Sequence, residues 1–227
     1  MPLPVQMLGR VRKLLEGIDA EPVGEATEQV TLTQQLEQLV ALGAAPYREI
    51  VRMGRAFYVN TTAAIAAVVA IPTTAHMLAL YNNEADGGRS YVIDWVAASG
   101  VAKTAAAGQQ QMLGNIGQVR EAIPTDAALS IKKLDGLGSG NDTKARTILN
   151  ATALPATTGL AANWFPLGPA IGSPGGAATP GHGAFYPLDG RIIVAPGRYF
   201  AVHVLADVVG STYQAFIAWH EAQLTLG

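Results

Sequence analysis

The chain has 227 residues with 15 basic and 17 acidic side chains, and its 14% charged residues fall well under the roughly 25% of an ordinary soluble protein. That balance excludes a general electrostatic attraction for nucleic acid or anionic membrane, and the lack of cysteine excludes a disulfide framework and thiolate chemistry. With 39 Ala and 25 Gly the chain is rich in small residues, and a surface so poor in like-charge repulsion favours association over a free monomer.

The charges are unevenly spread. Residues 1–55 hold 13 of them and residues 56–227 hold 19, so the density halves near residue 55. The N-terminal stretch reads as a helical and extended arm. Leu8, Val11 and Leu15 share one helical face, Glu21-Pro22-Val23-Gly24 breaks it, and Leu36, Leu39 and Val40 follow at helical spacing until Gly43. Pro46 begins another turn with Tyr47, Ile50 and Val51 as its apolar side. Pieces this short need a surface to pack on. The start, Met1 to Met7, has no basic region or long apolar core of a leader. The most apolar run, Ala63 to Ile71, is nine residues against the roughly 20 a membrane helix needs.

From Phe57 onward the pattern is β. Tyr91 to Val96 alternates, with Val92 and Val96 expected opposite Tyr91, Ile93 and Trp95. Arg191 to Val194 reads as a short strand stopped by Pro196-Gly197. Tyr199 to Leu205 places Phe200, Val202 and Val204 on one side. Tyr213 to His220 separates Tyr213, Ala215, Ile217 and Trp219 from Gln214, Phe216, Ala218 and His220. Turn signals at Asn82-Asn83, Asp86-Gly87-Gly88, Asp135-Gly136, Gly140-Asn141-Asp142 and Asp189-Gly190 punctuate these runs, with no helices between them. The expected fold is therefore mainly β, an antiparallel β-sandwich of the jelly-roll kind over 56–227, with the arm over 1–55. The Pro/Gly-rich stretch 151–187 reads as one long ordered loop anchored by Trp164, Phe165, Phe185 and Tyr186.

Residues able to do chemistry are sparse. His76, His182, His203 and His220 sit in four separate segments without ligand spacing, and His203 and His220 are at most neighbours across a sheet. Gly136, Gly138 and Gly140 alternate but do not make a dinucleotide fingerprint, and phosphate-loop and nucleophile-elbow motifs are missing. Asp94, Asp126, Asp189, Asp207 and Glu221 would have to converge in space to form an acid–base pair. Neither an enzyme nor a cofactor or metal is expected. Arg10, Arg12 and Lys13 form the one concentrated charge of a single sign, either an arm docking on an acidic partner or, with Glu16 and Asp19 nearby, a solvated helix face.

The combined pattern resembles a known group. Its parts are Tyr47-Arg48-Glu49-Ile50-Val51-Arg52-Met53-Gly54-Arg55-Ala56-Phe57, then Leu80-Tyr81-Asn82-Asn83-Glu84-Ala85-Asp86-Gly87-Gly88-Arg89-Ser90-Tyr91, and finally Asp189 to Tyr199 with Trp219-His220-Glu221. This looks like the tailed-bacteriophage virion proteins of the jelly-roll decoration (cement) type. In that group a Leu-aromatic-Asn-Pro turn precedes a strand, and a Pro-Gly turn precedes a closing hairpin. Asn83 stands where the proline usually does, and Asp86-Gly87-Gly88 stands for a Ser-Gly.

The resemblance implies a homotrimer on the outer surface of the virion capsid, bound to the major capsid protein through its arm and free of nucleic acid and membrane. It places capsid contacts on the arm, with Arg10, Arg12, Lys13, Tyr47, Arg48 and Arg52 as candidates. Trp164, Phe165, Phe185 and Tyr186 are candidates for a ligand or trimer-contact loop. A head-fibre or tail module that recognises host carbohydrate is the alternative, with those aromatics stacking on sugars.

Overall fold

A computed structural model describes residues 46–73, 75–102, 108–118, 129–137, 143–149, 154, 163–173, 183–207 and 210–224. Arg10, Arg12 and Lys13, the helical pieces before Gly43, His182 and most of 151–187 lie outside these residues. The chain divides into two compact units, Met1–Glu49 and Ile50–Gly227. Helix α1 (Pro46–Arg52) spans the division, with Pro46 first, Glu49 in its first turn and Arg52 in its last. That order suits the helix dipole. Gly54, at φ 65°, stops it: its N–H donates to the Val51 carbonyl at 2.9 Å and the Arg55 N–H to Ile50 at 3.1 Å, a left-handed cap that only glycine enters freely.

The strands are β1 (Ala56–Asn60), β2 (Ile65–Ala66), β3 (Leu78–Tyr81), β4 (Ser90–Ala102), β5 (Gly108–Ile116), β6 (Lys132–Lys133), β7 (Arg146–Leu149), β8 (Trp164–Pro166), β9 (Ile171–Ser173), β10 (Gly183–Val194), β11 (Tyr199–Ala206) and β12 (Thr212–Ala222). They form two antiparallel sheets. The first runs β10-β4-β12-β1-β6 with β2 also on β12; the second runs β7-β3-β11-β5-β8 with β9 also on β5. The main strands pair as nested couples, β1 with β12, β3 with β11, β4 with β10, and β5 with β8 and β9. A long hairpin wound into two facing sheets has this order, and it is the jelly-roll sandwich.

Alternation fills the space between the sheets. Phe57, Val59, Ile93, Val96, Ile217 and Trp219 come from the first sheet, facing Leu78, Leu80, Met112, Phe200, Val202 and Val204 of the second. Trp219 is the centre, 5.8 Å from the Phe57 ring and 6.2 Å from Tyr91. The Tyr213 hydroxyl, inside the same layer, donates to Gln110 Oε1.

Both runs near the C-terminus keep the expected sides, but β4 does not. Val96 joins Tyr91 and Ile93 in the core, while Trp95 faces out. Ala218 pairs with Trp95 and Trp219 with Ile93, so Asp94 is an extra residue that shifts the alternation by one. The expected short strand at Arg191 is really the end of the twelve-residue β10. Asp189-Gly190 is not a turn between strands but an irregularity inside β10, opposite the same Asp94, with φ of 47° and 77°.

Asn82 explains the turn signals around it. Its amide donates to the carbonyls of Arg89 and Val194, each at 2.9 Å, and its Oδ1 accepts from the Glu84 N–H at 3.0 Å. Its backbone exchanges hydrogen bonds with Gly197 and Arg198. One buried side chain thus ties the β3–β4 turn to the β10–β11 turn. An aspartate could not donate those two bonds.

Candidate interaction surface

The outer face of the first sheet is built from residues that alternate with the core. The register aligns Tyr58, Ala218, Trp95 and Pro187 in one row across β1, β12, β4 and β10, and Asn60, Phe216, Ala97 and Phe185 in the next. A third row holds His220, Val92 and Ile193. Phe185 is 61% exposed and Ile193 39%; the Trp95 and Phe185 rings meet at 5.5 Å, diagonal neighbours on adjacent strands. Four strands and three rows span about 20 Å by 20 Å, or about 400 Å². Within that footprint Phe185, Pro187 and Ile193 are exposed, Tyr58, Trp95 and Phe216 are partly buried, and Ala218 and Val92 are buried.

Asp94 and His220 pair within this patch, and Lys132 of β6 stands beside Tyr58 at its edge. The bulge turns Asp94 outward, and its Oδ1 lies 2.7 Å from His220 Nδ1 with both side chains largely buried. A tryptophan, two phenylalanines, a tyrosine and small alkyl side chains make up most of the rest. Such a face is suited to burial against another protein.

The outer face of the second sheet is different. Tyr81, Ala79, Leu113, Tyr199 and Ala201 point outward from β3, β5 and β11, and Leu154 and Trp164 cover them. Trp164 is 8% exposed and stands edge-on to His203 at 6.5 Å. Burial pushes the His203 imidazole down to about 4. Tyr81 and Tyr199 pack at 5.4 Å, and the Tyr199 hydroxyl donates to Asn115 Oδ1 at 3.3 Å.

The four anchor aromatics are therefore separated. Trp164 and Phe165 are consecutive in β8 and take opposite faces, Trp164 outward under cover and Phe165 against the core. Phe185 and Tyr186 do the same in β10. Phe185 is exposed on the first sheet, and Tyr186 is buried with its hydroxyl donating to the Pro169 carbonyl at 3.0 Å. The stretch 151–187 is not one loop, since it contains β8, β9 and the start of β10. Its prolines hide this. Pro166 ends a strand, and Pro187 sits on an edge strand whose outer side needs no donor.

In α1, Tyr47 is half-buried, and Arg48 and Arg52 are exposed one turn apart. His203 and His220 are not sheet neighbours, because β11 and β12 belong to opposite sheets. Nor do Asp94, Asp189, Asp207 and Glu221 meet at one point. Asp94 pairs with His220, Asp207 accepts from the Gln109 N–H, and Glu221 is held by Arg89 and Thr143; Asp126 lies outside the described residues. The Arg89–Glu221 pair at 2.8 Å has a buried carboxylate, and its position joins the β3–β4 turn to the last strand. Among the described residues no group of three or more His, Asp or Glu could hold a metal ion, and no helix is long and apolar enough to cross a membrane.

Sequence reasoning partly reached this surface. Alternation separates Phe216, Ala218 and His220 from Tyr213, Ala215, Ile217 and Trp219, but it groups Trp95 with Tyr91 and Ile93 and leaves Phe185 in a loop, so the patch is not recognisable as one from the sequence. Compared with protein-family models, curated proteins and solved structures, the chain matches none.

Proposed function

We propose that this chain is a structural protein of a tailed-bacteriophage virion. In this reading it is a capsid decoration (cement) protein that binds the major capsid protein on the outer surface of the head as a homotrimer and stabilises the shell by adhesion, without making or breaking a covalent bond. The observation that carries the reading is the outward aromatic face of the first sheet, where Phe185 and Ile193 are exposed beside Trp95, Phe216 and Tyr58. At about 400 Å² it is half of one partner's share of a standard interface, about 800 Å². A single contact of that size is weak, so adhesion needs several copies acting together, and a trimer supplies them by raising effective concentration. Low overall charge and Arg48 and Arg52 on the helix leading into β1 agree with docking at a protein surface.

Two measurements test this. Light scattering on the purified full chain should give three times the 23.6 kDa chain mass. Mixing it with heads stripped of decoration should restore binding and raise the temperature at which heads release DNA. A monomer that does not rebind heads, yet gives a signal on host cells or glycan arrays, would overturn the cement reading in favour of the receptor module.

A further inference from the structure

The covered face of the second sheet is not covered everywhere. Beyond Trp164 and His203 the register continues, with Leu205 opposite Gln111 and Ala206 opposite Gln110. Gln110 turns inward to accept from Tyr213. Gln109, Gln111, Leu205 and Asp207 stay on the outer side, where they line an open cavity of about 230 Å³. Val69 closes one side, held there because the Val68 N–H donates to Val204 at 3.0 Å and the Ala206 N–H to Val68 at 2.8 Å. Ala170 closes the other.

We infer that this cavity binds a single neutral hexopyranose, such as the terminal residue of a glycan. Its chemistry is one of hydroxyl recognition over an apolar floor. Asp207 is fixed by the Gln109 N–H, which donates to Oδ1 at 2.8 Å, leaving Oδ2 to accept from sugar hydroxyls. Gln111 donates its amide to the Gly168 carbonyl at 3.0 Å, so its own carbonyl oxygen is oriented and remains an acceptor. Gln109, exposed, supplies both a donor and an acceptor. Leu205, Val69 and Ala170 offer the alkyl surface on which the C–H side of a pyranose ring rests.

Among the described residues the lining has one carboxylate and no cationic side chain, which repels uronic and sialic acids. The volume lies under the roughly 300 Å³ at which drug-sized ligands begin, so one ring fits and a disaccharide extends into solvent. The inference goes beyond the proposed adhesion to capsids. It uses the opposite sheet from the aromatic face, so a decorated head would present the cavity independently of its docking surface.

The test is a titration of the full ¹⁵N-labelled chain with methyl α-glucoside, α-mannoside and β-galactoside, with glucuronic acid and methylguanidinium as controls. At least one neutral glycoside should bind in the millimolar range. Its shifts should be confined to Val69, Gln109–Gln111, Ala170 and Leu205–Asp207. Asp207→Asn retains an acceptor for the Gln109 N–H and should weaken binding tenfold or more without unfolding the chain. Val69→Lys, at a half-exposed position, should abolish neutral binding.

Silence of all three glycosides up to about 100 mM, equal affinity in Asp207→Asn, or tighter binding of glucuronic acid would each overturn the inference. Tighter binding of methylguanidinium would overturn it too and reassign the cavity to an arginine of a partner. Rebinding of stripped heads by Asp207→Asn reads the adhesion proposal separately.

Discussion

The two outer faces of the sandwich come from the same alternation but end differently. On the first sheet Phe185 is exposed and Trp95 and Phe216 are partly buried, with the Asp94–His220 pair among them and exposed Lys132 at the end of the Tyr58 row. On the second sheet a comparable set, Tyr81, Tyr199 and Leu113, is capped by Trp164 and Leu154 from the Pro/Gly-rich stretch. Leu154 and Trp164 thus cover one outer face, while Phe185 and Ile193 of the other remain exposed. An uncovered face of that kind carries a solvation cost that folding does not remove, so a partner is the reasonable place to remove it.

The largest expected effect tests the cap. Trp164→Ala should cost about 4 kcal/mol and about 10 °C in Tm, because a large buried side chain is lost and its space only partly refills. Thermal unfolding checks it, and a loss under about 1 kcal/mol would mean that Trp164 does not hold the cover in place.

Next comes pH. His203, beneath the cap, stays neutral when folded down to about 4, whereas an unfolded histidine takes its proton near 6.5. The unfolded chain binds more protons between those values. Stability is therefore full above pH 6.5 and falls by about 3 kcal/mol as pH drops to 4. Denaturant midpoints across that window should show the slope, and His203→Gln should flatten it.

Gly168 sharpens the comparison from the other direction, since it joins the covering segment to the first sheet. A Cβ there would sit 2.1 Å from Tyr186 Cε1. Gly168→Ala must displace the ring and break its bond to Pro169, for about 2 kcal/mol. Chemical denaturation measures it, and an unchanged midpoint would show that the segment shifts freely.

The smallest effect on folding belongs to the open face. Phe185→Asp should change stability by less than about 0.5 kcal/mol while abolishing trimer formation or head binding. A variant that still assembles at wild-type concentration would remove this face from the proposed interface.

Much of the fold was readable from residues alone. β11 and β12 are uninterrupted alternations, so Phe200, Val202 and Val204 share one side, as do Tyr213, Ala215, Ile217 and Trp219, and both sets lie in the core. The interaction surface was less readable. Trp95 sits one residue past a bulge, and a bulge leaves no mark in a period-two pattern, because the shifted run Trp95-Val96-Ala97 is as apolar as the unshifted one. β8 and β10 were hidden by prolines, which are breakers inside a sheet but acceptable at its edge.

Composition, alternation and turn chemistry were by themselves enough to determine a two-layer antiparallel body with a helical entry, since these depend on nearest neighbours along the chain. Which aromatics are exposed, which sheet each histidine joins and where Asp207 finds its glutamines were decided only by tertiary structure. Those properties depend on register and on the winding of successive strands into opposite sheets, where residues far apart in sequence meet and neighbours such as Phe185 and Tyr186 part.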